Sequence, residues 1–338
     1  MLSPLVTRSP TPLSRLCALG VADAREQLER LIPEGAGWQS TEVDNMGHDP
    51  GRKPAAIVRP SALVHAWLCE AQGLGRLQTR WSARVHRLEW RDEIWWALDA
   101  EGGVLGHAPV VVVASAYGAH ALLERWFSAD PMALPLRPVQ GQLSLAALVG
   151  EPLAPRPVRN NGVFVPCYED RALPPLWPGR VWAMGSTYDR GSQDVTVRPE
   201  AHERNAASLE QMHPGAAAHL RQCAARGELL GWAQVRCASL DRVPMVGAVP
   251  DQPALLEQMR AAGHRRGRIP LAEAPRLPGL YLMSALGSRG LTLAHWCASW
   301  LAARMSGEAS PLTGEDLDLE RAFDPARFAW RLARRQDA

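Results

Sequence analysis

The stretch Leu280-Tyr-Leu-Met-Ser-Ala-Leu-Gly287-Ser-Arg-Gly290-Leu-Thr292-Leu-Ala-His-Trp-Cys-Ala-Ser-Trp-Leu-Ala-Ala-Arg-Met-Ser-Gly307 decides how the rest of this chain is read. Its first residues, with Gly279 before them, are a short apolar run and predict a buried strand. The glycine-bracketed turn Gly287-Ser-Arg-Gly290 then leads into a helix ending near Gly307. Such an arrangement binds anions: glycine permits close backbone approach, and the first N–H groups and positive dipole end of the helix favour negative charge. By itself the turn reads equally as a plain strand-to-helix connection.

The chain has 338 residues, 46% hydrophobic and 21% charged, which is long enough for two domains and excludes wholesale disorder. A net charge of +2 does not mark a nucleic-acid binder, although one lysine, Lys53, stands against 36 arginines. Arginine forks suit phosphate, and a genome-wide arginine bias gives the same count. The cysteines 17, 69, 167, 223, 237 and 297 are scattered without a C-x-x-C pair, which argues against a zinc site or a disulfide framework. No apolar run reaches membrane-span length and no signal-peptide core is present, so a cytoplasmic location without a membrane partner is expected.

Outward from the decisive stretch, Arg15 to Leu31 predicts a helix, Asp44 to Lys53 a turn or mobile loop, Ala55 to Arg59 a strand, and Pro60-Ser61 the start of a helix that ends before Gly73. Trp81 to Trp90 and Ile94 to Leu98 predict a β-meander returning through Gly102-Gly103. Pro109 to Ser115 is apolar throughout, as in a central strand covered on both faces. Pro131 to Pro138 reads as a linker. Val139 to Leu145, Gly162 to Tyr168 and Val181 to Tyr188 predict an antiparallel sheet, followed by helices entered at Arg198-Pro199 and His213-Pro214 and a strand at Gly231 to Arg236. Two short basic stretches, His264-Arg-Arg-Gly-Arg268 and Arg331-Leu-Ala-Arg-Arg335, read either as RNA-backbone contacts or as solvated surface.

In this order the pieces resemble the D-amino-acid-oxidase-like flavoproteins, through Val58-Arg-Pro60-Ser-Ala-Leu63, Val110 to Gly118, and Gly287 to Thr292. More narrowly they resemble the FAD-dependent oxidoreductase half of the bifunctional tRNA 5-methylaminomethyl-2-thiouridine biosynthesis family. That likeness is carried by Pro4 to Arg15, Leu136 to Gln142, Met184 to Arg190, Arg236 to Asp251 and Ala285 to Thr292. It implies an α/β (α+β) fold: an FAD-binding domain over 46–128 and 237–338, and an antiparallel-sheet substrate domain over 1–45 and 129–236. Family members begin with a strand, a G-x-G-x-x-G turn and a helix that hold the FAD pyrophosphate. These 338 residues contain no such fingerprint. The first βαβ unit and the methyltransferase half are therefore expected to be missing, leaving exposed strand edges and an aggregation-prone chain.

The resemblance implies oxidative removal of the carboxymethyl group from 5-carboxymethylaminomethyl-2-thiouridine at the tRNA wobble position, with FAD as cofactor, tRNA as substrate and a methyltransferase domain or protein for the following step. Gly287, Ser288, Arg289, Gly290, Leu291 and Thr292 are expected at the flavin ring, with Gln142 near its face. A cation is needed for the substrate carboxylate, and Arg289, Arg242 and Arg190 are the candidates. Tyr168 and Tyr188, at strand ends, are candidate pocket walls. Two alternatives stand beside this reading: an FAD-dependent oxidase of a small amine such as glycine or sarcosine, and a truncated, non-catalytic remnant unable to hold FAD.

Overall fold

A computed structural model describes residues 1–127, 130–172 and 178–335, so the domain division expected between 128 and 129 lies outside the described residues. The chain forms two compact units. Unit one comprises Met1–Gln78, Pro138–Val235 and Arg289–Trp296; unit two comprises Thr79–Arg137, Arg236–Ser288 and Cys297–Ala338.

In chain order the elements begin with α1 (Pro12–Leu31), β1 (Trp38–Asn45), β2 (Gly51–Val58) and α2 (Pro60–Gly73). The meander β3 (Arg87–Arg91), β4 (Ile94–Leu98) and β5 (Val104–Ala108) follows, then β6 (Val111–Val113) and α3 (Gly118–Leu123). Next are β7 (Arg137–Ala147), β8 (Val158–Asn160), β9 (Gly162–Glu169), β10 (Arg180–Gly185) and β11 (Asp189–Arg190), α4 (Pro199–Glu210), α5 (Pro214–Ala225) and β12 (Leu230–Ala238). The chain closes with β13 (Met245–Pro250), α6 (Gln252–Ala262), β14 (Arg276–Ser284), α7 (Gly290–Ser306), α8 (Leu319–Phe323) and α9 (Arg327–Arg335).

Local chemistry sets the helix starts. Thr11 and Ser14 form a reciprocal capping box before α1, with Pro12 in the first helical position. Asp251 accepts from the Ala254 N–H at 3.1 Å and so caps α6.

In unit one the large sheet runs β11-β7-β10-β9-β8-β1-β2, with β12 also paired to β7. Along the path from β11 to β2 it is antiparallel apart from the parallel β1–β8 pair. Phe164, Pro166 and Tyr168 of β9 are buried at the two-residue period of a strand with one covered face. The cover comes from α4 and α5, whose Ala206, Leu209, Ala217 and Leu220 join Phe164, Trp182 and Met184 in one cluster. A second cluster gathers Leu28 of α1, Trp38, Val58 and Leu63.

Unit two has the sheet β13-β14-β6, in which β14 runs parallel to β6 with Leu280 opposite Val111 and Leu282 opposite Val113. Leu280 and Leu282 are fully buried against Met245, Val249, Leu255 and Phe328. The run Pro109 to Ser115 does not become a central strand. Only Val111–Val113 pair, and among the described residues β6 is hydrogen-bonded on one edge. Val110 and Val112 remain 42% and 40% exposed, beside a cleft of about 770 Å³ that β6 shares with Ala83 to Leu88. The meander also starts later than its sequence suggests, at Arg87, and Trp81 is 72% exposed. Asp44 to Lys53, expected as a turn, holds the loop 46–50 and, on either side of it, the facing ends of the β1–β2 hairpin. β1 escapes sequence reading because Ser40, Thr41, Glu42, Asp44 and Asn45 give it no apolar alternation.

Candidate functional site

The decisive turn is built in two parts. After β14, Ala285 and Gly287 take left-handed backbone conformations, with φ 59° and 57°. In unit two, the Gly287 N–H donates to the Cys237 carbonyl at 2.8 Å and Leu286 bridges to Ala238, so the turn is pinned to the end of β12. The chain then enters α7. The Arg289 carbonyl accepts from the Thr292 and Leu293 N–H groups at 3.0 and 2.9 Å, making it the first acceptor of the helix. The Gly290 and Leu291 N–H groups, ahead of that first bond, have no intrahelical acceptor. A Cβ placed on Gly287 or Gly290 would meet nothing within 4 Å, so the backbone is open to close approach at both.

Within unit one, α1 and α2 hold the first turns of α7. A Cβ at Gly20 would lie 2.2 Å from the Thr292 carbonyl oxygen, so α1 passes α7 at a distance only glycine allows. Three residues on, His295 Nδ1 lies 2.9 and 3.0 Å from the Asp23 carboxylate oxygens, and its ring stacks on Trp67 with centroids 5.7 Å apart. Leu291 packs on the cluster of Leu28 and Leu63. Thr292 is 3% exposed and Leu293 fully buried, so the helix start is a fixed fixture.

Arg159, on β8, lies close enough to Arg289 to feel its charge: burial first, and Arg289 second, push the Arg159 guanidinium below its ordinary value. Among the described residues the hydrogen-bond partners of Arg159 are neutral. It donates to Asn45 Oδ1 at 3.0 Å, to Ser3 Oγ at 2.8 Å and to the Pro4 carbonyl at 2.8 Å. Asn45 is itself fixed by donating to the His48 and Asp49 carbonyls at 2.7 and 2.9 Å. Cys17 of α1 adds a neutral thiol, since burial raises it and the charge of Arg289 pulls it only part of the way back. Arg159 and Arg289 thus lie within electrostatic reach of each other, and two positive charges so placed favour an anion.

Sequence reasoning missed Gly20 and Arg159. A glycine inside the apolar spacing of α1 was the available signal for the first, because such a glycine costs helix stability and asks for a packing reason. Nothing local singles out Arg159 among 36 arginines.

The other expected site residues have the following surroundings. Gln142 is fully buried, and both ends of its side chain are bonded: Nε2 donates to the Arg198 carbonyl at 2.9 Å and Oε1 accepts the Arg198 N–H at 2.8 Å. Arg190 is exposed and lies over the Tyr188 ring at 5.8 Å. Arg242, in unit two, is exposed with φ 65°. Its neighbour Asp241 takes a two-point bond from Arg327, at 2.9 and 2.8 Å, that shapes the loop. Burial pushes the Asp241 carboxyl up, but Arg327 and the Val243 N–H outweigh it and hold the group below its ordinary value. Tyr168 donates to Asp170 at 2.7 Å, and Arg59 donates to the same oxygen at 2.7 Å. Burial, then that hydrogen bond, drives the phenol well above its usual range. Among the described residues no group of His, Cys, Asp and Glu is arranged to hold a metal, and no helix is long and apolar enough to cross a membrane.

Residues 18–304 match the family described as FAD dependent oxidoreductase. The tRNA 5-methylaminomethyl-2-thiouridine biosynthesis bifunctional protein of Ralstonia nicotianae is 34% identical over 327 residues, covering 96% of this chain and 44% of its own length. Its counterpart in Azoarcus sp. is 35% identical over 332 residues, covering 98% of this chain and again 44% of the relative. The chain therefore spans less than half the length of these two relatives. Iminodiacetate oxidase from Chelativorans sp. BNC1 shares the fold with a TM-score of 0.65 at 16% identity, over 96% of this chain and 87% of that one. Glycine oxidase from Geobacillus kaustophilus does so with 0.61 at 16%, over 91% and 82%. The mixed α/β fold with an antiparallel sheet is the one the sequence led us to expect.

Proposed function

The chain belongs to the FAD dependent oxidoreductase family, and from that premise we propose that it oxidises a secondary amine bearing a carboxylate. The substrate we assign is 5-carboxymethylaminomethyl-2-thiouridine at the wobble position of tRNA. The placing of Arg289 and Arg159 within electrostatic reach of each other, with neutral hydrogen-bond partners on Arg159 among the described residues, carries this reading. The names of the bifunctional relatives supply the tRNA.

The residues present fit the ring end of FAD. Gly287 and Gly290 leave the backbone open, and the first N–H groups of α7 point their dipoles at whatever lies against them. No G-x-G-x-x-G turn occurs in the sequence, so the pyrophosphate end is given no residues here. FAD, when bound, supplies the acceptor for the hydride leaving the carbon beside the amine.

The protein's part is positioning and charge. Gly290 and Leu291 N–H groups, with the α7 dipole, favour negative charge at the helix start. Arg289 takes the substrate carboxylate in its fork, and Arg159 raises the local positive potential. Oxidation of the carbon between amine and carboxylate leaves an imine. Water adds to it, the C–N bond breaks, and the carboxymethyl carbons depart as glyoxylate while the nitrogen stays on the nucleoside as 5-aminomethyl-2-thiouridine. A methyltransferase then has a primary amine to act on.

The test is direct. The full chain, supplied with FAD, is incubated with tRNA carrying the carboxymethylaminomethyl group, and the nucleosides and glyoxylate are measured. Loss of the carboxymethyl group with stoichiometric glyoxylate supports the reading. Turnover of glycine or sarcosine with none of the tRNA sinks it and assigns the same site to a small amine. A chain that takes up no FAD, by flavin absorbance and by thermal shift, sinks both.

A further inference from the structure

Two basic stretches far apart in the sequence meet on one face of unit two. The first is the 3-10 helix Gly263–Arg268, which continues α6; the second is α9. Leu255 and Met259 of α6 share a buried cluster with Phe328, Ala329 and Ala333 of α9. Arg334 fastens the two together: it donates to the Gly267 carbonyl at 2.6 Å while its guanidinium lies 4.4 Å over the Trp330 ring. Trp330 Nε1 in turn donates to the Ile269 carbonyl at 3.0 Å. The apolar sides thus face inward and the arginines outward.

Arg260, Arg265, Arg268, Arg331 and Arg335 are all exposed, with His264 beside them. Among the described residues none of these five arginines is ion-paired. Holding unpaired like charges side by side costs electrostatic free energy that a polyanion offsets by releasing its own counterions. We propose that this face of unit two binds the phosphate backbone of the tRNA substrate. The inference rests on the tRNA reading above and adds to it the surface that holds the nucleic acid.

RNA fits better than an anionic membrane. A membrane-surface helix inserts large apolar side chains beside its basic ones. Among the described residues, no large apolar side chain of α6, the 3-10 helix or α9 is exposed. A face whose exposed charges are mostly arginine, with Glu257 the exposed carboxylate of α6, instead matches phosphate oxygens through guanidinium forks.

Binding is measured with the full chain and an unmodified tRNA transcript, by filter binding or anisotropy across a salt series. The wild type should show a steep fall of log K with log salt, with a slope of about −0.7 to −0.9 per phosphate contact. The quadruple variant Arg265→Gln, Arg268→Gln, Arg331→Gln, Arg335→Gln should lower that slope by about 2 or more and weaken binding on the order of 10- to 100-fold near 0.1 M salt. The double variant Arg8→Gln, Arg76→Gln, at exposed arginines of unit one, should leave both unchanged. A quadruple variant with wild-type affinity and slope overturns the proposal. So does a wild type that binds phosphatidylserine vesicles but not the transcript. Binding needs neither FAD nor turnover, so the two readings fail separately. Salt-dependent binding lost in the variant, with no oxidation of tRNA, removes the reaction and leaves the surface. Oxidation that survives unchanged in the variant does the reverse.

Discussion

Gly290 separates cofactor binding from stability in a single substitution. Its φ lies outside the left-handed region, and a Cβ there would meet nothing within 4 Å. Alanine therefore fits the FAD-free protein without strain. Removing a glycine from the unfolded chain should then stabilise Gly290→Ala by about 0.4–1 kcal/mol, a rise in Tm of roughly 1–3 °C for a chain of this size. The same methyl group occupies space at the helix start that we assign to the flavin ring. Overpacking of that kind costs about 1–3 kcal/mol, which weakens FAD roughly 5- to 150-fold. The two effects have opposite signs. Thermal melts without FAD and flavin fluorescence titrations with it read them independently. Gly287→Ala serves as the contrast: at φ 57° alanine is strained by about 1–2 kcal/mol, so that variant should lose stability even before FAD is added. A Gly290→Ala protein that melts below the wild type, or that binds FAD as tightly, refutes the placement of the ring against α7.

Other substitutions test the framework around that helix. Gly20→Ala gains up to about 1 kcal/mol in helix propensity, but its Cβ falls 2.2 Å from the Thr292 oxygen; backbone displacement wins, and we expect a net loss of about 1–3 kcal/mol by chemical denaturation. Arg159→Met should raise KM for the carboxylate-bearing substrate about 2- to 10-fold, the worth of a nearby charge acting through partly screened space rather than by direct contact, while kcat changes much less; an unchanged KM would remove Arg159 from the site. Asp241→Asn leaves Arg327, 1% exposed, without its charge partner, and should cost about 3 kcal/mol. Asp241 and Asp170 are both held below their ordinary values, each against burial, by arginine and hydrogen-bond partners. Their contribution is therefore complete above the unfolded carboxylate value and is lost as pH falls through the folded one, so stability should drop below about pH 4, with less of a drop in Asp241→Asn. Val112→Lys places a charge on the free edge of β6 and should reduce aggregation, measured by light scattering at equal concentration.

How much of this was legible depended on how local each signal was. The turn at Gly287–Gly290 and the helix after it could be read directly, because glycine placement and apolar period are properties of neighbouring residues. The proline-entered helices α2, α4 and α5 were legible for the same reason. The strand β6 was misjudged because an apolar run says that a strand prefers burial, not whether a neighbour is there to bury it. Gln142 shows the limit for polar residues: the family resemblance implied a place near the flavin face, but only the fold shows the Arg198 backbone brought across to bond both ends of its carboxamide. Arg159 shows the same limit from the other side. Its role comes from the β1–β8 pairing, which sets it beside Asn45, and from the start of α7, about 130 residues later in the chain. Charged sites of this kind are made by convergence. A guanidinium held by neutral acceptors keeps its charge uncompensated, and that surplus becomes visible only once every neighbour is in place.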